Sequence, residues 1–477
     1  MSSDVSDSTD ALHPLLRQAL ADARTHDRSV LVRLPMPRPV QDPWAFAHHA
    51  LSSGARATIW SDPDQEVLAV GVGEALRLEG SGTERLLDLD AQFQAVHTHS
   101  HPLLEALPLW FGGFAFDHRR AMEGPWQHWP SAELVTHGIT ALQHQKKSYT
   151  VLSLVVHPHE EVASVHARYT TLKAQLRALH LPADAPSFSA LDFTEQESQK
   201  HWAAQVHAAQ EAIDQGTFAK IVLARRVSAA WPEDARGPDA IAAQISAALH
   251  ALRRRYQHCT VFALARPHAA ESTLFFGATP ELLAERKDAI LHTMALAGTA
   301  PRLSDVRADA EQQRALLASS KERQEHQFVV QDIAKNLASI GVDVRISSAP
   351  DVVTFPNVHH LKTPIRGTEP TTLGLLPIAN ALHPTPAICG TPTDTTYAWL
   401  HAHEGMARGW YAGGVMWLND GGDGRVNVAL RSAIANAHEV CAYAGAGIVE
   451  GSDAQQEWDE TRAKLSPICD AFVPLEQ

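Results

Sequence analysis

The chain has 477 residues, 45% of them hydrophobic and 20% charged, which is the composition of a globular protein rather than a disordered or fibrous one. Its formal charge of −14 excludes a sequence-independent grip on nucleic acid phosphates, which needs clustered Lys and Arg. An anionic ligand would have to be met by local cations or a metal ion. No run reaches the roughly 20 apolar residues of a membrane helix, and Met1 to Asp10 is polar without a signal-like apolar stretch. Cys259, Cys389, Cys441 and Cys469 lie far apart and read as reduced thiols, so a cytoplasmic protein is expected. Most of the 28 histidines read as solvated.

Residues 1–195 mix short apolar strands, such as Ser29 to Leu34 and Tyr149 to Val156, with many Pro and His. They carry no motif assignable to chemistry and read as scaffold. The Pro-rich stretch Leu181 to Ser187 is a candidate linker. Trp202, Val206, Ala209 and Ile213 then fall at helical spacing, with Gly216 as a stop. Phe218 to Val227 reads as a strand that carries Lys220 inside an apolar run. Lys220 is either a snorkelling or ion-paired lysine or, if burial lowers its pKa, a general base. Glu281 follows the apolar strand Leu274 to Ala278; it is a solvated loop carboxylate or, if partly buried, a general acid.

The segment Val306 to Ile340 is free of Gly and Pro and reads as one extended helix, with Glu322 and Glu325 sharing a face. Tyr411 to Trp417 and Arg425 to Ile434 flank a Gly- and Asp-rich turn, a hairpin signal, with Glu439 to Tyr443 as a third strand. Arg431 is then mid-strand, an interstrand ion pair or an anion clamp. Gly445-Ala446-Gly447 is a turn or a place for close backbone approach to a ligand. Ser452 and Gln455 suggest a capping box for a last helix with Glu457, Glu460 and Lys464 on one face. The two glutamate pairs are solvated faces or, if brought together, a cluster that needs a cation, for which oxygen-only donors favour Mg²⁺.

Over about 200–470 these residues resemble, in order, the chorismate-utilising enzymes. The resemblance rests on Phe218-Ala-Lys-Ile-Val-Leu-Ala-Arg225, Gly277-Ala-Thr-Pro-Glu-Leu-Leu283, Ala295-Leu-Ala-Gly-Thr299, Lys321-Glu-Arg-Gln-Glu-His326, Leu382-His-Pro-Thr-Pro386, Arg408-Gly-Trp-Tyr-Ala-Gly413, Ala429-Leu-Arg431, Tyr443-Ala-Gly-Ala-Gly-Ile448 and Glu457-Trp-Asp-Glu-Thr461. It implies an α/β (α+β) fold of two related halves with face-to-face packed sheets and outer helices, and it makes 196–477 the chorismate-binding catalytic region. By the same resemblance, Lys220 activates water for attack at ring carbon 2 and Glu281 protonates the departing 4-hydroxyl. Glu325 and Glu460 ligate Mg²⁺ directly, and Glu322 and Glu457 hold it through water. Tyr411 and Arg431 grip the enolpyruvyl carboxylate, while Thr299, His360 and the backbone of Gly445, Ala446 and Gly447 complete the substrate site.

Anthranilate-type members resemble one another in having glutamine in place of Lys220, and aminodeoxychorismate synthases a lysine in place of Ala297, so water is the expected nucleophile. The run from His403 to Ala412 is similar to isochorismate synthases. A salicylate synthase and a non-catalytic chorismate-binding subunit are the alternatives, and menaquinone, siderophore and salicylate routes all stay open for the product. Met416 and Thr279 stand where the family commonly has Gly and Ser. The resemblance also suggests a monomer.

Overall fold

The computed structural model describes residues 12–178, 190–233, 236–269, 272–355 and 358–473. The expected linker Leu181 to Ser187 lies outside them. Two large sheets, one of thirteen strands and one of ten, form the body of the protein.

In the first sheet the N-terminal strands run Val30–Pro35, Lys147–Val156, Ile139–His144, Val67–Val72, Ala57–Asp62. The C-terminal strands run Lys220–Ala230, Glu439–Ile448, Ser432–Ala435, Thr273–Thr279, Thr260–Arg266. Each set, counted in its own chain order, has the order first, fifth, fourth, third, second. The two sets meet edge to edge where Ala57–Asp62 pairs antiparallel with Thr260–Arg266. The second sheet repeats the relation: Leu282–Lys287, Gly424–Val428 and Gly414–Leu418 continue into Trp110–Phe114, Ala132–Thr136 and Leu76–Gly80. The expected two related halves are therefore present, and each sheet is shared between them.

Strand alternation explains the layering. In the first strand Leu31 joins a core that also holds Trp60 of the first sheet and Phe111 of the second, whose rings lie 6.5 Å apart. Val30, Val32 and Leu34 point the other way, into a second core closed by the helices Pro14–His26, Pro238–Arg255 and Ala454–Ala471. All four cysteines are free thiols. His137, His326, His359 and His360 are buried, exceptions to the solvated reading.

Several sequence expectations shift. The extended helix breaks at Ser319 into Val306–Ala318 and Ser320–Ser339, because Ser319 takes an extended conformation and its hydroxyl accepts from the Glu322 N–H. A serine competes poorly for a helix interior and well for an N-cap. The last helix is capped by Asp453, which accepts from Gln455 and Gln456, while the Ser452 hydroxyl accepts from Val449. Arg425 to Ile434 is not one strand: Gly424–Val428 belongs to the second sheet and Ser432–Ala435 to the first. Arg431 sits in the crossing, at φ 47°, and not mid-strand. Tyr411 likewise precedes its strand, which begins at Gly414. An apolar run shows no mark where it changes partner.

Candidate active site

One pocket gathers most of the singled-out residues. Its wall includes Glu281, Thr299, Glu322, Glu325, His360, Tyr411, Arg431, Gly445, Gly447, Glu457 and Glu460. Every wall residue belongs to the C-terminal half. Ala446, fully buried on the opposite face of its strand, does not line the pocket. Lys220 is also absent from the wall: it lies beneath it, 1% exposed, with its Nζ donating to Glu325 Oε1 at 2.7 Å. Room for that lysine comes from Gly447, where a Cβ would stand 3.0 Å from Lys220 Cε and 3.4 Å from the Glu325 carboxylate.

Glu281 is held at the end of its strand by its own backbone. Its N–H donates to Thr279 Oγ1 at 3.3 Å, and its carbonyl accepts from the Val428 N–H at 3.0 Å. Burial pushes its carboxyl up to about 7, against the opposing pull of Lys464, Lys220 and Arg431. A carboxyl in that range carries a proton it can give away near neutral pH. Thr279, standing where serine is common in the family, does its work by accepting from Glu281 and donating to Val428 O at 2.5 Å.

Two groups present hydrogen-bond donors for an anion. The buried Arg431 guanidinium lies 4.8 Å from the Phe355 ring centre and within hydrogen-bonding reach of the Cys259 thiol, and its Nη1 has no partner. An orphaned buried guanidinium nitrogen calls for an acceptor, and a carboxylate fits its planar fork. Tyr411 is stacked on Tyr443 at 5.2 Å and 17°. Burial lifts its phenol to about 12, so it is a neutral donor. His360 is pushed down to about 3 by burial and then by Arg431 and Lys464, which keeps its ring neutral. Its Nδ1 lies 3.2 Å from Gly298 O and 3.1 Å from Thr299 Oγ1. A carbonyl only accepts, so Nδ1 carries the proton and Nε2 is an acceptor.

The four expected metal glutamates converge from two helices. Glu322 is anchored by the Thr299 N–H at 2.9 Å, and burial and then Glu325 raise its carboxyl. Burial followed by Glu460 pushes Glu457 up to about 7. Burial would raise Glu325 as well, but the Lys220 ammonium holds it low. Glu460 pairs with Lys464 at 2.7 Å. Among the described residues no three acidic, His or Cys side chains stand in ligating geometry. That does not disqualify the site, because Mg²⁺ takes one or two carboxylates and fills its shell with water and ligand oxygens. The donor set is all oxygen, and two of the four carboxyls are raised partly by their acidic neighbours, a repulsion a cation relieves. The residues fit a hard divalent ion.

Lys464 is a residue the sequence reading placed on the right face but gave no role. It lines the pocket and donates to Gly445 O at 3.0 Å as well as to Glu460. Its i,i+4 spacing from Glu460 was the available signal. Cys259, behind Arg431, gave none.

The family model described as chorismate binding enzyme matches residues 18–473. The chain belongs to the chorismate-binding enzyme family. It is 32% identical over 467 residues to the salicylate biosynthesis isochorismate synthase of Pseudomonas aeruginosa, covering 98% of this chain and 95% of that one. To the isochorismate synthase MenF of Bacillus subtilis it is 27% identical, covering 95% and 96%. The fold is that of Escherichia coli MenF, a menaquinone-specific isochorismate synthase, with TM-score 0.74, 24% identity and coverage of 96% and 100%. Anthranilate synthase component I of Streptococcus pneumoniae shares it too, with TM-score 0.67, 20% identity and coverage of 86% and 92%. Membership in this family of chorismate-binding enzymes agrees with the nine motifs and extends the match into the N-terminal half. No helix among the described residues is long and apolar enough to cross a membrane.

Proposed function

We propose that this chorismate-binding enzyme is a Mg²⁺-dependent isochorismate synthase, an isomerase that adds water at ring carbon 2 and expels the 4-hydroxyl. The reading is carried by one observation: Glu281, poised to donate a proton at about 7, and Lys220 serve one pocket whose wall at position 297 is only Ala. Lys220 in place of the glutamine of anthranilate-type members, together with Ala297 in place of a nucleophilic lysine, supports water as the nucleophile.

Chorismate enters as a dianion. Arg431, through its unpartnered Nη1, and the Tyr411 hydroxyl meet the enolpyruvyl carboxylate. Glu325, Glu460, Glu322 and Glu457 would hold Mg²⁺, which when bound would supply the positive charge that the ring carboxylate requires. Lys220 acts as the base toward the water that attacks carbon 2. Glu281 gives its proton to the leaving hydroxyl at carbon 4, which departs as water. One water enters and one leaves, so the formula is unchanged. Thr299 and His360 orient the substrate, and the bare strand at Gly445 and Gly447 lets the ring approach closely.

The test is direct. Purified protein with chorismate and Mg²⁺ is expected to yield isochorismate on chromatography. Salicylate with pyruvate as the main products would assign a salicylate synthase instead, and no turnover would refute catalysis by this pocket.

A further inference from the structure

Among the described residues the N-terminal half contributes nothing to the pocket wall, yet one of its side chains lies behind the anion grip. Trp126 ends the short turn Gly124–Trp126 and is fully buried. Its Nε1 donates to the Tyr443 hydroxyl at 3.1 Å. Tyr443 in turn stacks flat against Tyr411. The indole is itself immobilised, edge-on to Phe275 at 5.0 Å and to Trp129 at 5.4 Å.

A second contact reaches Tyr411 through its own chain. Gly409 lies against the Trp126 ring at φ 56°, so close that a Cβ there would fall 2.0 Å from Cδ2. Neighbouring bonds fasten the same segment to the N-terminal half: Trp410 Nε1 donates to Pro130 O at 2.8 Å, and the Phe116 N–H donates to Gly409 O at 2.8 Å. Trp126 therefore touches both the backbone leading into Tyr411 and the ring that backs it. The Tyr411 hydroxyl lies close over the Gly445 backbone, where an added Cβ would stand 3.2 Å from it.

We propose that Trp126 is a positioning residue for substrate binding, fixing the ring plane of Tyr411 through Tyr443 and Gly409. The proposal rests on the reading of Tyr411 as a carboxylate grip. A hydroxyl that binds ground state and transition state alike affects KM and leaves kcat alone. Trp126→Phe keeps an aromatic ring among Phe275 and Trp129 but deletes the N–H donor. Loss of one buried hydrogen bond predicts a KM for chorismate raised about fivefold, with kcat within about twofold.

The experiment is a double-mutant cycle on the full-length enzyme with saturating Mg²⁺, using W126F, Y411F and the pair, with Y443F as a second route that removes the acceptor. Residues that act through one another are non-additive. The expected result is that W126F and Y443F each raise KM alone, and that neither raises it further in the Y411F background. Multiplicative KM effects in W126F/Y411F would overturn the proposal. So would an unchanged KM in both W126F and Y443F, or a reduced kcat with unchanged KM, the mark of a merely structural residue. If Y411F itself leaves KM unchanged, the carboxylate-grip reading fails first and takes the relay with it, an outcome visible from that single variant.

Discussion

Replacing Glu281 with Gln separates the chemistry of that carboxyl from the strain of burying it. Burial lifts the group from 4.5 to about 7, and it is 8% exposed. A carboxyl raised on folding binds its proton more tightly in the native state, so the native state loses stability as pH climbs from the unfolded value through about 7. At about 1.36 kcal/mol per pH unit, the loss between pH 5 and pH 8 comes to about 2 to 3 kcal/mol. Gln has the same shape and does not titrate, while every other ionisable group is common to both proteins and cancels in the difference. A chain of 477 residues has an unfolding entropy of about 1 kcal/mol per kelvin, so that energy is about 2 to 3 °C. In calorimetric melts the variant should therefore gain about 2 to 3 °C on wild type when both are moved from pH 5 to pH 8. Curves that shift in parallel would refute the burial argument. Without a proton to donate, the variant should also lose about 100-fold or more in kcat, and wild-type kcat should decline as pH rises through about 7.

Three further outcomes are expected. Lys220→Ala should lower kcat by about 10²- to 10⁴-fold while chorismate binding, followed by calorimetry, stays within a few-fold; normal turnover would remove Lys220 as the base. Chelation by EDTA should stop the reaction and added Mg²⁺ restore it, and full activity in chelator would dispose of the carboxylate cluster as a metal site. Arg431→Lys keeps the charge but loses the planar fork, so KM should rise about 10- to 100-fold, and a KM equal to wild type would show that the unpartnered Nη1 does not meet substrate.

The motifs carried the site further than they carried the local structure. Residues with a charge in an apolar run, such as Lys220, or paired three apart on a helix, such as Glu322 and Glu325, declare themselves because the pattern is unusual. Where they sit relative to one another is set by pairings of distant strands, so nothing local showed that Lys220 lies under Glu325 and off the pocket wall. The break at Ser319 was in principle readable, since Ser319 and Glu322 have capping-box spacing, but Leu316 and Leu317 before it extend the helical pattern. Arg431 was misplaced for another reason: apart from Asn427 and Ser432, Val426 to Ile434 is apolar around it, and a strand that ends in one sheet and resumes in another leaves the same hydrophobic signature as an unbroken one. Trp126 had no signal at all, because an indole in a Pro- and Gly-containing turn looks like ordinary core filling.

The seam between Ala57–Asp62 and Thr260–Arg266 has an implication for how such a molecule can be divided. Either half in isolation would carry a bare strand flank, each bristling with unsatisfied amides and carbonyls that template a like-shaped neighbour. Severed between residues 178 and 190, the two pieces should reassemble when produced together, while each one alone should self-associate across the flank it had lost.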